Sequence, residues 1–163
     1  MKTYPHGEPH WSRPLSPHCV GGWRSSCVNM ISRLTLSRQQ VREITDHVSR
    51  HAPLEACGLL AGKHDRVEKV LFVQNQAQSP VRFVMDPYEQ LSAFDWIDSN
   101  NLSLLGIFHS HPAGPETASP TDISEAAYEV VHVVCSQKNG EWKLRGFWVE
   151  NGKTTEVTLQ IVE

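Results

Sequence analysis

The chain has 163 residues, 39% of them hydrophobic and 20% charged, which suits one globular domain with a real core and leaves too little for two. Fifteen basic residues against 18 acidic ones give a net charge of −3, so no basic field advertises nucleic acid or an anionic membrane. No apolar run reaches the length of a membrane span, and the four cysteines (Cys19, Cys27, Cys57, Cys135) show no disulfide or paired zinc-knuckle spacing, so a reducing cytoplasm is the plain reading.

Residues 1–29 differ from everything that follows. They carry Pro5, Pro9, Pro14 and Pro17, scattered His and Ser, and almost no aliphatic side chains. Such a stretch cannot bury enough apolar surface to offset its ordering entropy, so a disordered tail is expected there. His6, His10 and His18 lie within it and are read as tail residues before metal ligands. Met30 opens the expected domain, residues 30–163, and offers an alternative point of initiation. Without the tail, 12 bases against 17 acids leave the domain at −5.

From Ser37 the pattern turns helical. Ser37 can cap, Val41, Ile44 and Val48 share a face, and Pro53 stops the helix. CGLLAG and KVLFV read as two strands joined by a polar turn at 63–66, and VRFVM (residues 81–85) reads as a third. Asp86-Pro87 is a cap followed by a first-turn proline, opening a helix to about Ser99 with Leu91, Phe94 and Ile97 inward. LSLLGIFHSH is an apolar strand with a polar end, Ser119-Pro120 opens a short helix, and YEVVHVVC is the next strand. Asn139-Gly140 and Asn151-Gly152 mark hairpin turns to WKLRGFWV and TEVTLQIV. The expected fold class is α/β, a mixed β-sheet flanked by helices.

The segment HSHPAGPETASPTD, residues 109–122, is where chemistry concentrates. Side chains alternate on a strand, so His109 and His111 project to one side about 6–7 Å apart, while Ser110 points the other way. Pro112 ends the strand, a Gly- and Pro-bearing loop turns the chain back, and Asp122 arrives on the first turn of the next helix. Two imidazoles and one carboxylate leave a tetrahedral ion its fourth position, the arrangement of a catalytic zinc. Each element has a plainer account. A lone His-x-His is weak, and Ser119-x-x-Asp122 is also an ordinary capping box, the better reading of that pair by itself. A carboxylate has two oxygens, so cap and ligand can coexist, and jointly the metal reading moves ahead.

His109-x-His111, seven residues, Ser119, two residues and Asp122 resembles the JAMM motif of the MPN/Mov34 metallopeptidases. HAPLEACGLLAG resembles the family segment that carries the catalytic Glu, here Glu55, and RFVMDPYEQL resembles the segment ahead of the motif. The resemblance covers about residues 37–162. It implies a curved sheet between helices, the JAMM/MPN architecture related to the zinc deaminases. It also implies one zinc held by His109, His111 and Asp122, Glu55 as the general base, and Ser119 as hydrogen-bond donor to the developing oxyanion. The implied activity is hydrolysis of an amide bond at the C-terminal Gly-Gly of a ubiquitin-like protein. The compact form and lack of long insertions favour a small sulfur carrier over polyubiquitin, with no nucleic-acid or membrane partner.

Three rivals are weighed against this. A non-catalytic MPN scaffold usually lacks the ligands that are present here. A zinc deaminase needs His-x-Glu and Pro-Cys-x-x-Cys elements that the chain does not have. A DNA-associated relative would want a basic face. Among nearby residues, Cys57 is read as core before ligand, Cys135 and His132 as core or its edge, and Trp142, Phe147 and Trp148 as packing. His51 suits a helix C-terminus without a catalytic role.

Overall fold

The computed structural model describes residues 30–163; the expected tail, with Cys19 and Cys27, lies outside the described residues. The chain runs β1 (Arg33–Ser37), α1 (Arg38–His51), β2 (Cys57–Lys63), β3 (Arg66–Val73), α2 (Pro87–Ser99), β4 (Ser103–His111), α3 (Pro120–Ser124), β5 (Val131–Lys138), β6 (Glu141–Glu150) and β7 (Lys153–Val162).

Local chemistry explains most of the boundaries. Ser37 caps α1 with a full capping box: its Oγ accepts from the Gln40 N–H, and the Gln40 side chain accepts from the Ser37 N–H. Asp86 accepts from the Tyr88 and Glu89 N–H groups at the start of α2, where Pro87 needs no partner. Asn139 and Gly140, and again Asn151 and Gly152, all have φ between 51° and 82°. That is the left-handed pair a two-residue type I′ hairpin requires.

Seven strands form one mixed sheet in the order β1-β3-β2-β4-β5-β6-β7, and it closes on itself through β1. β4 and β5 are parallel, as are β1 and β7, while β2–β3, β2–β4, β5–β6 and β6–β7 are antiparallel. The two faces bury different helices. Leu60, Phe108, Val133 and Cys135 pack with Ile44 and Val48 of α1. Cys57, Leu59 and Ile107 pack with Ala93 and Ile97 of α2. Phe108 is fully buried and lies over Gly58, where an added Cβ would sit 2.4 Å from the ring and 2.4 Å from the Leu71 carbonyl oxygen. That contact brings β2 and β4 together beside the site described below.

The structure corrects four expectations about elements. VRFVM does not form a strand: it has one isolated bridge, Asn75 to Met85. Strand propensity describes a fit to a half-buried pleated surface, and Val81 and Val84 find none, being 79% and 40% exposed. Leu91 is exposed, because the buried stripe of α2 centres on Ala93 and Ile97, with Phe94 partly buried beside them. Leu91 lies about 200° round the helix from Ala93. β5 starts at Val131, three residues later than YEVVHVVC suggests, because the Val130 N–H turns back to the Tyr128 carbonyl. β1 was not anticipated. It is five residues long and runs straight into the α1 cap, so its alternation had no room to register.

Candidate metal centre

The apolar strand β4 delivers its polar end into the interior. His109 and His111 sit on the α2 face and are almost fully buried, with Asp122 brought against them from the first turn of α3. His109 Nε2 lies 3.0 Å from His111 Nε2 and 3.3 Å from Asp122 Oδ1. His111 Nε2 lies 3.3 Å from Asp122 Oδ2. Donors at zinc bond lengths of about 2.0–2.1 Å in a tetrahedron stand about 3.3 Å from each other, so these three fit one ion. Two imidazole nitrogens facing each other at 3.0 Å also need a shared proton or cation between them. His109, His111 and Asp122 are the group among the described residues whose donor atoms converge in this way.

Neighbouring groups fix each ring. His111 Nδ1 donates to the Pro115 carbonyl at 2.8 Å, which leaves Nε2 as the free lone pair a ligand needs. Gly114 lets the loop reach that position: a Cβ there would meet the His111 side chain at 3.0 Å. The ring of His109 stacks on Phe83 with centroids 4.6 Å apart. Its Nδ1 has no hydrogen-bond partner among the described residues, so packing orients it.

Charge and burial set opposite tendencies across the cluster. Burial lowers His109 and keeps it neutral, against the pull of Asp122. Burial also opposes protonation of His111, but the hydrogen bonds to Asp122 and Pro115 and the charges of Asp122 and Glu55 outweigh it and raise its pKa. Asp122 stays ionised far below the usual carboxylate range, because the two imidazoles and the Ser119 N–H overcome its burial.

Glu55 precedes β2 and approaches from the side, with Oε1 3.9 Å from His111 Nε2. It is 4% exposed, and burial pushes its carboxyl up to about 7, with His111 pulling down and Asp122 adding to the rise. Its strand is tied to β4 by the intervening Ser110, whose Oγ accepts from the Ala56 N–H at 2.8 Å and whose N–H donates to the Ala56 carbonyl at 2.9 Å. Ser119 and Asp122 form the capping box that the plainer reading wanted: Ser119 Oγ accepts from Asp122 N–H, and Asp122 Oδ2 accepts from Ser119 N–H at 2.6 Å. Cap and metal-facing positions coincide, one carboxylate serving both.

Glu55 lies in the wall of a recess of about 520 Å³ shared with His47, Phe72, Gln74 and Asn75. Asp122 lies in the wall of another of about 360 Å³, with Phe83, Tyr128 and His132. The remaining candidates are structural. Cys57 is buried, donates weakly to the Val73 carbonyl, and has its thiol pushed up to about 12 by burial, with Glu55 and Glu89 adding. Cys135, His132, Phe147 and Trp148 are buried, and Trp142 packs against the core. His51 Nδ1 donates to the His47 carbonyl at the end of α1. Ser110, Phe83 and Asn75 escaped the sequence reading, since each acts on the site through a contact distant in sequence.

This mixed sheet and its His-x-His, Asp and Glu grouping define a class of hydrolase, the JAMM-type peptidases. The model for prokaryotic homologs of the JAB domain matches residues 37–149, and the chain belongs to that family. It is 38% identical over 133 residues to the desampylase of Pyrococcus furiosus, covering 80% of this chain and 91% of the relative. It is 36% identical over 152 residues to a probable TtuB-protein conjugate cleaving protease of Thermus thermophilus, covering 91% and 98%. A protein of Desulfitobacterium hafniense of known solution structure aligns with a TM-score of 0.73 at 34% identity, covering 80% of this chain and 93% of that one. No helix among the described residues is long and apolar enough to cross a membrane.

Proposed function

We propose that this protein is a zinc-dependent peptidase that hydrolyses the amide bond joining the C-terminal Gly-Gly of a ubiquitin-like or sulfur-carrier protein to its conjugate. The carrying observation is the set of three donor atoms 3.0–3.3 Å apart at the end of a buried strand, with a buried carboxylate beside them. His109, His111 and Asp122 hold the ion, one per chain. When bound, zinc supplies Lewis-acid polarisation of the scissile carbonyl and lowers the pKa of water toward about 7.

The chain's own residues do the rest. Glu55 takes a proton from the attacking water and hands it to the leaving amine. A carboxyl poised near 7 can both accept and return a proton at neutral pH. Ser119 Oγ accepts from the Asp122 N–H, so its own hydrogen is free to donate to the developing oxyanion. A tail without side chains suits a site whose ligands are buried, because only a slender chain reaches the end of β4. The desampylase and the TtuB-conjugate protease, both named for protein conjugates, support this substrate class.

The test pairs metal analysis with single-turnover cleavage of a Gly-Gly-linked carrier conjugate. Wild type is expected to carry close to one zinc per chain, and Asp122→Ala to lose most of it. Glu55→Gln should keep its zinc and slow hydrolysis by roughly 10²–10⁴-fold, the range for removing a general base. Wild-type rates from Glu55→Gln at equal zinc would refute the assignment.

A further inference from the structure

Asn75 lies just beyond β3, 20 residues from Glu55, and nothing in the sequence marks it. Its side chain makes four hydrogen bonds. Nδ2 donates to the carbonyl of Glu55 at 2.9 Å and to that of Arg82 at 3.1 Å. Oδ1 accepts from the N–H of Ala77 at 3.0 Å and of Val84 at 2.9 Å. A carboxamide has two donor hydrogens and one acceptor oxygen with two lone pairs, so its whole capacity is engaged. Asp keeps the acceptor half and lacks the donors, and Ala has neither.

These bonds stand in for the ladder that residues 81–85 fail to make, and they join two parts of the site. One part is Glu55, whose backbone is held from the same loop at both ends: its carbonyl by Asn75 and its N–H by the Ser79 carbonyl at 2.9 Å. The other is the 75–85 segment, which carries Phe83 against His109 and Arg82, itself paired with Glu125 at the end of α3. Asn75 also faces the recess in whose wall Glu55 lies.

We infer that Asn75 is a positioning residue for the hydrolysis: its donor half fixes how far Glu55 reaches toward the metal centre, and its acceptor half holds the 75–85 segment beside the site. This rests on Glu55 being the base. The two halves are separable. Asn75→Asp removes the grip on Glu55 and keeps the bonds to Ala77 and Val84, whereas Asn75→Ala removes both.

The experiment uses the full zinc-loaded chain and a sulfur-carrier protein joined through its C-terminal Gly-Gly to a lysine side chain, with rates expressed per bound zinc. Asn75→Asp is expected to lower kcat roughly 10- to 100-fold, the scale of a misplaced catalytic group, and to leave KM within about twofold. Asn75→Ala is expected to lower kcat similarly and to raise KM as well. Amide hydrogen exchange reads the same division without turnover: Ala77 and Val84 should exchange faster in Asn75→Ala and at the wild-type rate in Asn75→Asp. If Asn75→Asp does not fold or load zinc, Asn75→Ala carries the kcat test alone. A kcat near wild type in the zinc-loaded variants while Glu55→Gln is impaired overturns the inference, as does a change confined to KM. Equal rates for Glu55→Gln and wild type overturn instead the reading of Glu55 on which it rests.

Discussion

Burial of Glu55 has a consequence for the metal-free protein that can be read without an assay of activity. The carboxyl is raised from 4.5 to about 7 in the folded chain, so folding takes up a proton between those values. Stability from this group is fully present below about pH 4.5 and is lost as pH rises through about 7, because the folded state then holds a buried charge. Gln carries no charge at any pH. Metal-free Glu55→Gln should therefore melt above metal-free wild type at about pH 8 and close to it at about pH 4, a comparison calorimetry makes directly. A bound divalent cation should narrow the gap by favouring the ionised carboxylate. Residues of this site were unequally legible. His109, His111 and Asp122 follow from strand alternation and a helix cap, both local rules. Glu55 sits in an irregular approach to β2, where no periodicity points at it, and only the family resemblance singled it out. Asn75 was invisible because its partners lie up to 20 residues away and are backbone atoms.

β4 combines two tasks on its two faces. His109 and His111 face the metal centre, while Ser110 between them turns toward β2 and holds both the N–H and the carbonyl of Ala56, next to Glu55. Ser110→Ala leaves the buried Ala56 N–H without its acceptor, a loss of about 1–3 kcal/mol. The variant is expected to melt lower, to retain zinc, and to lose kcat in excess of its lost folded fraction, measured per bound zinc. Loss of stability with unchanged kcat would reduce Ser110 to a fold residue. The hairpins and helices with explicit cap or turn residues were legible in sequence because their signals are contained within four residues. VRFVM was not, since whether a β-prone segment becomes a strand depends on an edge being available to it. β1 was not, since five residues leading into a capping box carry too little pattern.

Three parts of the chain meet at the metal centre: β4, α3 and the approach to β2. An ion there joins them only in the folded state, so it stabilises the whole molecule by mass action, by about 4 kcal/mol at a thousandfold excess over its dissociation constant. Chelation should lower Tm and stoichiometric zinc should restore it, while magnesium should not, because two of the three donors are imidazoles and that ion prefers oxygen. Differential scanning fluorimetry with each ion in turn checks this, and full recovery with magnesium would point to an oxygen-rich site elsewhere.

The closure of the sheet is uneven. β1 meets β7 over five residue pairs and β3 over one, Thr35 with Arg66, reinforced by the Gln40 side chain on the Val67 carbonyl and by Arg33 with Asp65. Counting strands round the ring, β4 stands nearly opposite that junction. The molecule thus has a seam, and the seam is far from the chemistry. Breathing there parts one strand pair and leaves the other six intact, so the barrel can open like a split ring without loosening its grip on the ion.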